Sequence, residues 1–277
     1  MKKILVLTDF SKKAENAAIY ALRVAQHLEA DIILYHSYEK VRAVNVPETG
    51  SWPYEDFAAV QNESQEGLKK LQATLYEHFE PGKYHSQVTL VNDSGYDLGL
   101  NVKQLAIAEN VELIITGSKS ENALSHLING SNANDILDAA PCPVLFIPDK
   151  FRYHQLKTII FANDLMAEYP EANRFLTQLA KNEGAQIVIT HFTDKDDLVA
   201  ESYMTRIKQN INYAKLSVIT FPRKNIARQL KEFAEDVNAG LIAMIHHKHY
   251  LLEELIISSK SKTVIKDNRV PVLVFPG

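Results

Sequence analysis

Cysteine is nearly absent: Cys142 is the single one among 277 residues. No disulfide framework can form within the chain, and a reducing compartment is the natural setting. Also missing is any stretch near the ~18 uninterrupted apolar residues that a membrane-crossing helix needs. The apolar run Ile4–Leu7 behind Lys2 and Lys3 is cut by Asp9, too soon for the core of a secretory signal. The expectation is a cytoplasmic protein without membrane contact. Basic blocks are missing too: no Lys/Arg run exceeds two residues and the formal charge is −4, which argues against nucleic acid as a partner. Residues 1–150 hold 13 basic and 20 acidic side chains (−7), and residues 151–277 hold 17 and 14 (+3). That asymmetry reads as two solvated surfaces. What is present is 46% hydrophobic and 23% charged residues, a globular composition long enough to bury a core without staples.

The chain repeats itself. Ile4-Leu-Val-Leu-Thr-Asp9 is echoed by Ile159-Ile-Phe-Ala-Asn-Asp164, and Ala30-Asp-Ile-Ile-Leu-Tyr-His36 by Ala185-Gln-Ile-Val-Ile-Thr-His191, both offset by 155. Leu113-Ile-Ile pairs with Leu241-Ile-Ala, and Pro143–Pro148 with Pro271–Pro276, both offset by 128. The expectation is a duplication, residues 1–150 and 151–277, whose second copy is 27 residues shorter between its second and third strands. In the first copy, short β-branched runs at 4–8, 32–35, 88–91, 112–116 and 143–147 alternate with helical spacing over 12–28, 55–79, 97–109 and 131–139. Apolar runs without polar alternation fit strands buried on both faces. The fold class is α/β: two doubly wound parallel sheets in tandem, joined near 149–156.

Behind the fourth strand come Gly117-Ser-Lys-Ser120, then nine residues, then Gly130-Ser131 opening a helix, and later Pro141-Cys-Pro143. With the early Leu-Thr-Asp9 and the strand end Leu-Tyr-His36, this pattern resembles the universal stress protein family. That resemblance implies two five-stranded sheets of order 3-2-1-4-5, of the adenine nucleotide alpha hydrolase-like kind. It implies a non-catalytic, regulatory or protective role in the stress response. It also implies a site for ATP or another adenine nucleotide in the first copy, with Mg²⁺ arriving on the phosphates. The residues it marks are Thr8, Asp9, His36, Ser37, Thr116, Gly117, Ser120, Gly130, Ser131 and Asn132. A further implication is that the two copies pair through their final strands, antiparallel, as a dimer within one chain, and that two chains can pair in turn. Such final strands are otherwise exposed apolar edges.

The site has a physical rationale of its own. Ligands of a doubly wound sheet bind beyond the carboxyl ends of strands where their order reverses, here between the strands ending at Asp9 and Gly117. A helix opening at Ser131 aims free N–H groups and its positive end at the same crevice, which suits phosphate. A carboxylate such as Asp9 suits ribose hydroxyls, and equally well it helps Ser11 cap the following helix. The first copy departs from the family pattern at Ser120, where a second glycine belongs; its side chain narrows the cradle. In the second copy the aligned positions are Ile245, Lys248, Ser258 and Ser259, so no glycine is left and the site reads as lost. His246-His247-Lys248-His249 has metal-like composition, but a lysine neighbour and no cysteine make a solvated loop the plainer reading. Cys142, between two prolines, reads as a buried, inert thiol. Residues 37–54, with Trp52, form a long connection that covers the crevice, reaches the other copy or fills space. Two rival functions stay open: a nucleotide-free interaction module on the same fold, and slow ATP hydrolysis.

Overall fold

A computed structural model describes residues 2–38, 57–95, 97–118, 131–163, 165, 169–194, 202, 205–206, 213–246 and 270–277. Ten strands form one sheet: β1 (Lys2–Leu7), β2 (Ala30–Tyr38), β3 (Val88–Ser94), β4 (Val111–Ser118), β5 (Val144–Pro148), β6 (Thr158–Ala162), β7 (Gln186–Phe192), β8 (Leu216–Phe221), β9 (Leu241–His246) and β10 (Val272–Pro276). Among the described residues six helices of length flank it: α1 (Lys12–Leu28), α2 (Phe57–Glu77), α3 (Leu98–Ala108), α4 (Ser131–Ala139), α5 (Pro170–Glu183) and α6 (Ile226–Asp236).

The strand order is β3-β2-β1-β4-β5-β10-β9-β6-β7-β8. Each half therefore runs 3-2-1-4-5 within itself, with parallel neighbours. Among the described residues the single antiparallel pair is β5 with β10, in register Val144–Val274, Leu145–Leu273 and Phe146–Val272. The two parallel five-stranded sheets are thus joined edge to edge into one continuous mixed sheet, because each final strand satisfies the open edge of the other. Side chains alternate across the sheet. Ile4, Val6, Ile32 and Leu34 face α1 and α2, whereas Leu5, Leu7, Ile33 and Tyr35 face α3 and α4.

α1 starts where Ser11 caps it, its hydroxyl oxygen accepting from the Ala14 N–H at 3.4 Å. Its buried stripe is largely alanine (Ala14, Ala17, Ala18, Ala21, Ala25), so the helix lies close against the sheet. Asn16 ties it to the segment after β5, donating to the carbonyls of Pro148 (3.2 Å) and Phe151 (2.9 Å). α5 begins with Pro170 and stops at Gly184, whose φ of 70° only glycine adopts without strain. Where α1 and α5 meet behind the β5–β10 seam, a cavity of about 20 Å³ is lined by Tyr20, His27, Phe175 and Glu183 among others. The buried Glu183 carboxylate accepts from the Tyr153 hydroxyl at 2.7 Å and the Leu156 N–H at 3.1 Å, with His27 Nδ1 at 3.6 Å.

Candidate functional site

β1 lies between β2 and β4, with Leu7 opposite both Tyr35 and Thr116. The carboxyl ends carrying Thr8 and Asp9, His36 and Ser37, and Thr116 and Gly117 therefore come together at the reversal of strand order, as the sequence predicts for those six residues. The turn after β1 is tight. The Thr8 N–H still reaches the Tyr35 carbonyl (3.0 Å), its hydroxyl oxygen accepts from the Phe10 N–H (3.0 Å), and Phe10 takes a left-handed φ of 59°. The Thr8 hydroxyl oxygen thereby braces the turn while its hydrogen is left to donate. Because the β1 ladder ends at Leu7–Tyr35, the next backbone groups on that side of β2, those of Ser37, face the crevice. Those of His36 face β3, opposite Asn92.

Asp9 is held from two sides. Its Oδ1 accepts from the Ser11 N–H (3.1 Å) and from the Ser11 hydroxyl, and its Oδ2 pairs with Lys13 Nζ at 2.9 Å. Partial burial pushes the carboxyl upward, but the hydrogen bonds from Ser11 and Lys13 outweigh it and hold the group below the usual carboxylate range. Asp9 is ionised at neutral pH and stays half exposed, while the Lys13 side chain is only 16% exposed. Helix capping and a charged crevice are therefore both present: Ser11 caps, and Asp9 braces Ser11.

His36 closes the other wall. Its Nδ1 lies 2.6 Å from the Ser64 hydroxyl, which donates to Asn92 Oδ1 at 2.6 Å, while Asn92 Nδ2 donates to the Gln61 carbonyl. With its own proton spent on Asn92, Ser64 accepts from His36. The proton sits on Nδ1, and Nε2 is the acceptor. Burial lowers the imidazole pKa, against the opposing charge of Asp9, so the ring is neutral at pH 7. The Phe10 ring lies on it with centroids 4.3 Å apart, and Phe10 in turn fits over Gly67 of α2, where a Cβ would lie 2.8 Å from the ring.

Gly117 has a packing reason that the motif does not reveal. A Cβ there would lie 2.8 Å from the Lys13 carbonyl oxygen and 3.2 Å from the Ala14 nitrogen, so the first turn of α1 rests directly on it. Lys13, Phe10, Ser64 and Asn92 escaped the sequence reading. Lys13 alone carried a signal, standing four residues after Asp9 at ion-pair spacing; Ser64 and Asn92 come from distant segments. Ser120 and Gly130 lie outside the described residues. Ser131 and Asn132 open α4 as predicted, but their side chains lie outside as well.

The same turn recurs after β6. The Asn163 N–H reaches the Thr190 carbonyl at 3.0 Å, Asn163 Oδ1 accepts from the Leu165 N–H at 2.9 Å, and Leu165 has φ 60°. At the end of β9, however, the buried Ile245 packs in one cluster with Leu165 and Phe275, filling the place of Gly117. A cavity of about 740 Å³ lies beyond it, lined by Ile245, Phe275, Tyr169 and Arg174 and by Lys2 and Cys142 from the first half. Asp164, Lys248, Ser258 and Ser259 lie outside the described residues, as do 39–54 of the long connection. Of the histidine group, His246 pairs through Nε2 with Asp138 Oδ1 at 2.9 Å, and 247–249 lie outside. His191 is buried, its Nδ1 3.2 Å from the Asn163 carbonyl. Among the described residues no group of three or more His, Cys, Asp or Glu is arranged to hold a metal. No helix among them is long and apolar enough to cross a membrane.

Residues 1–148 match the universal stress protein family. The chain belongs to that family. A universal stress protein of Methanocaldococcus jannaschii is 27% identical over 146 residues, 53% of this chain and 81% of its own length. One from Thermus aquaticus is 28% identical over 146 residues, 53% of this chain and 98% of its own. The crystal structure of a universal stress protein from Archaeoglobus fulgidus matches 99% of this chain with 98% of its own at a TM-score of 0.72 and 16% identity. The universal stress protein fold therefore extends across both halves.

Proposed function

We propose that this universal stress protein is a tandem member whose first copy, residues 1–150, is a regulatory receptor for ATP or another adenine nucleotide. Its second copy, 151–277, has lost the site and serves as the built-in partner, so that β5 and β10 make within one chain the contact of a dimer. The matched turns, Phe10 at φ 59° and Leu165 at φ 60°, support the duplication, and the bulky Ile245 in place of Gly117 supports the loss. The role is non-catalytic and belongs to the cytoplasmic stress response, with Mg²⁺ arriving on the phosphates and no metal held by the protein.

The observation that carries the nucleotide reading is the convergence at one strand-order reversal of an ionised Asp9, a neutral His36 under an aromatic ring, and Lys13. A carboxylate there accepts from ribose hydroxyls, and the backbone of Ser37 offers a donor and an acceptor to a base. Calorimetric titration of the purified protein with MgATP tests it. Saturable heat is expected in the wild type, lost in Asp9→Ala and Gly130→Asp. The absence of heat in the wild type would favour a second reading, a nucleotide-free interaction module. Two observations speak for that alternative: Asp9 is already engaged by Ser11 and Lys13, and Gly117 already has a packing role.

A further inference from the structure

We infer that Lys13 is the phosphate-sensing residue of this crevice and makes it select nucleotides over nucleosides. The inference rests on the nucleotide reading above. Lysine is ordinarily a solvent-facing residue, yet this side chain is 16% exposed and lies over the strand ends with its Nζ 2.9 Å from Asp9 Oδ2. The backbone of the same residue is seated on Gly117, which fixes its stem between the ends of β1 and β4. Only the flexible four-carbon chain is then free to turn, carrying a compact charge.

Asp9 and Lys13 are coupled by their chemistry. Asp9 Oδ1 already accepts twice from Ser11, so a ligand's hydroxyl is accepted on Oδ2 beside the Lys13 ammonium. A neutral nucleoside then competes with Lys13 for that oxygen and offers the ammonium nothing in return. A nucleotide supplies both: hydroxyls for the carboxylate and, on the 5′ side of the same sugar, an anion for the ammonium. The pair is exchanged for two new charge-assisted contacts. In the second half the position 155 residues beyond Lys13 is Glu168, and helix α5 begins at Pro170, the counterpart of position 15.

The test titrates wild type, Lys13→Met and Lys13→Arg with ATP and with adenosine by calorimetry, with thermal melts to verify that each variant is folded. Losing one charged contact weakens ATP binding roughly ten- to a hundred-fold in Lys13→Met, with adenosine affinity unchanged or improved. Lys13→Arg retains most of the ATP affinity. If wild type binds ATP and Lys13→Met binds it equally well, the inference fails while the nucleotide reading stands. If both ligands weaken in parallel, Lys13 merely holds the turn and the inference fails too. If wild type binds neither ligand, the nucleotide reading itself is overturned, and the inference with it.

Discussion

Replacing Gly117 by alanine puts a methyl carbon 2.8 Å from the Lys13 carbonyl oxygen, 3.0 Å from its carbon and 3.2 Å from the Ala14 nitrogen. All three are backbone atoms of the first turn of α1, so no side chain can swing aside. Either α1 lifts at its amino end or the end of β4 is pushed out of register with Leu7 and Ile147. Overpacking of a well-packed site costs about 1–3 kcal/mol. The upper part of that range applies, because the helix is anchored further along by Asn16 and by a buried stripe of alanines that leaves little slack. Equilibrium urea unfolding of ligand-free protein, followed by far-UV circular dichroism, should show a lower midpoint with an unchanged slope. The lifted turn should also separate Lys13 from Asp9. Stability within about 0.5 kcal/mol of wild type would refute the packing account and return Gly117 to a purely ligand-related role.

Four further outcomes are expected. Glu183→Ala strips the Tyr153 hydroxyl and the buried Leu156 N–H of their acceptor behind the seam and should cost about 3 kcal/mol; Glu183→Gln, which preserves the shape, should cost about 1 kcal/mol, both read from urea midpoints. Cys142 is 8% exposed, and burial together with nearby Glu112 pushes its thiol up to about 12, so a thiol reagent at pH 8 should label it only after unfolding. The same shift makes stability full below the unfolded thiol's pKa near 9 and declining as pH rises from there toward 12, a slope that Cys142→Ala should flatten. Asp9 has the opposite sign: its carboxyl is held below its ordinary 3.8, so its contribution is present at neutral pH and fades as pH falls through and below that value, and acid unfolding should begin at lower pH in wild type than in Ser11→Ala.

The architecture was legible because its determinants are local and repeated. Uninterrupted runs such as Ile4–Leu7 and Val144–Ile147 announce strands buried on both faces, and the alanine spacing of 14–25 announces a helix lying flat on a sheet. α4 begins and ends where Ser131 and Ala139 predict. The site was legible at strand ends but not at its walls. His36 is locked by Ser64, 28 residues away, and by Asn92, a further 28 along, a union that only the β2–β3 register and the docking of α2 create. Gly117 shows a role that the motif does not carry. Read as a motif glycine it pointed to phosphate, whereas its nearest neighbour is the backbone of α1, a contact set by tertiary packing.

The two halves then differ in a way that one physical choice explains. A strand end that meets a helix backbone must be glycine, and the helix that rests on it brings its first-turn side chains over the crevice. In the first half Gly117 admits α1 from Lys12 onward, and with it come Ser11, Lys13 and the bracing of Asp9. In the second half Ile245 occupies that space with a side chain, α5 starts later, and its first turn carries Pro170 and Glu171 without a side-chain cap. The same few ångströms at the end of a fourth strand thus receive a helix backbone in the first half and an apolar side chain in the second, where the loss of the glycine adds buried contact with Leu165 and Phe275.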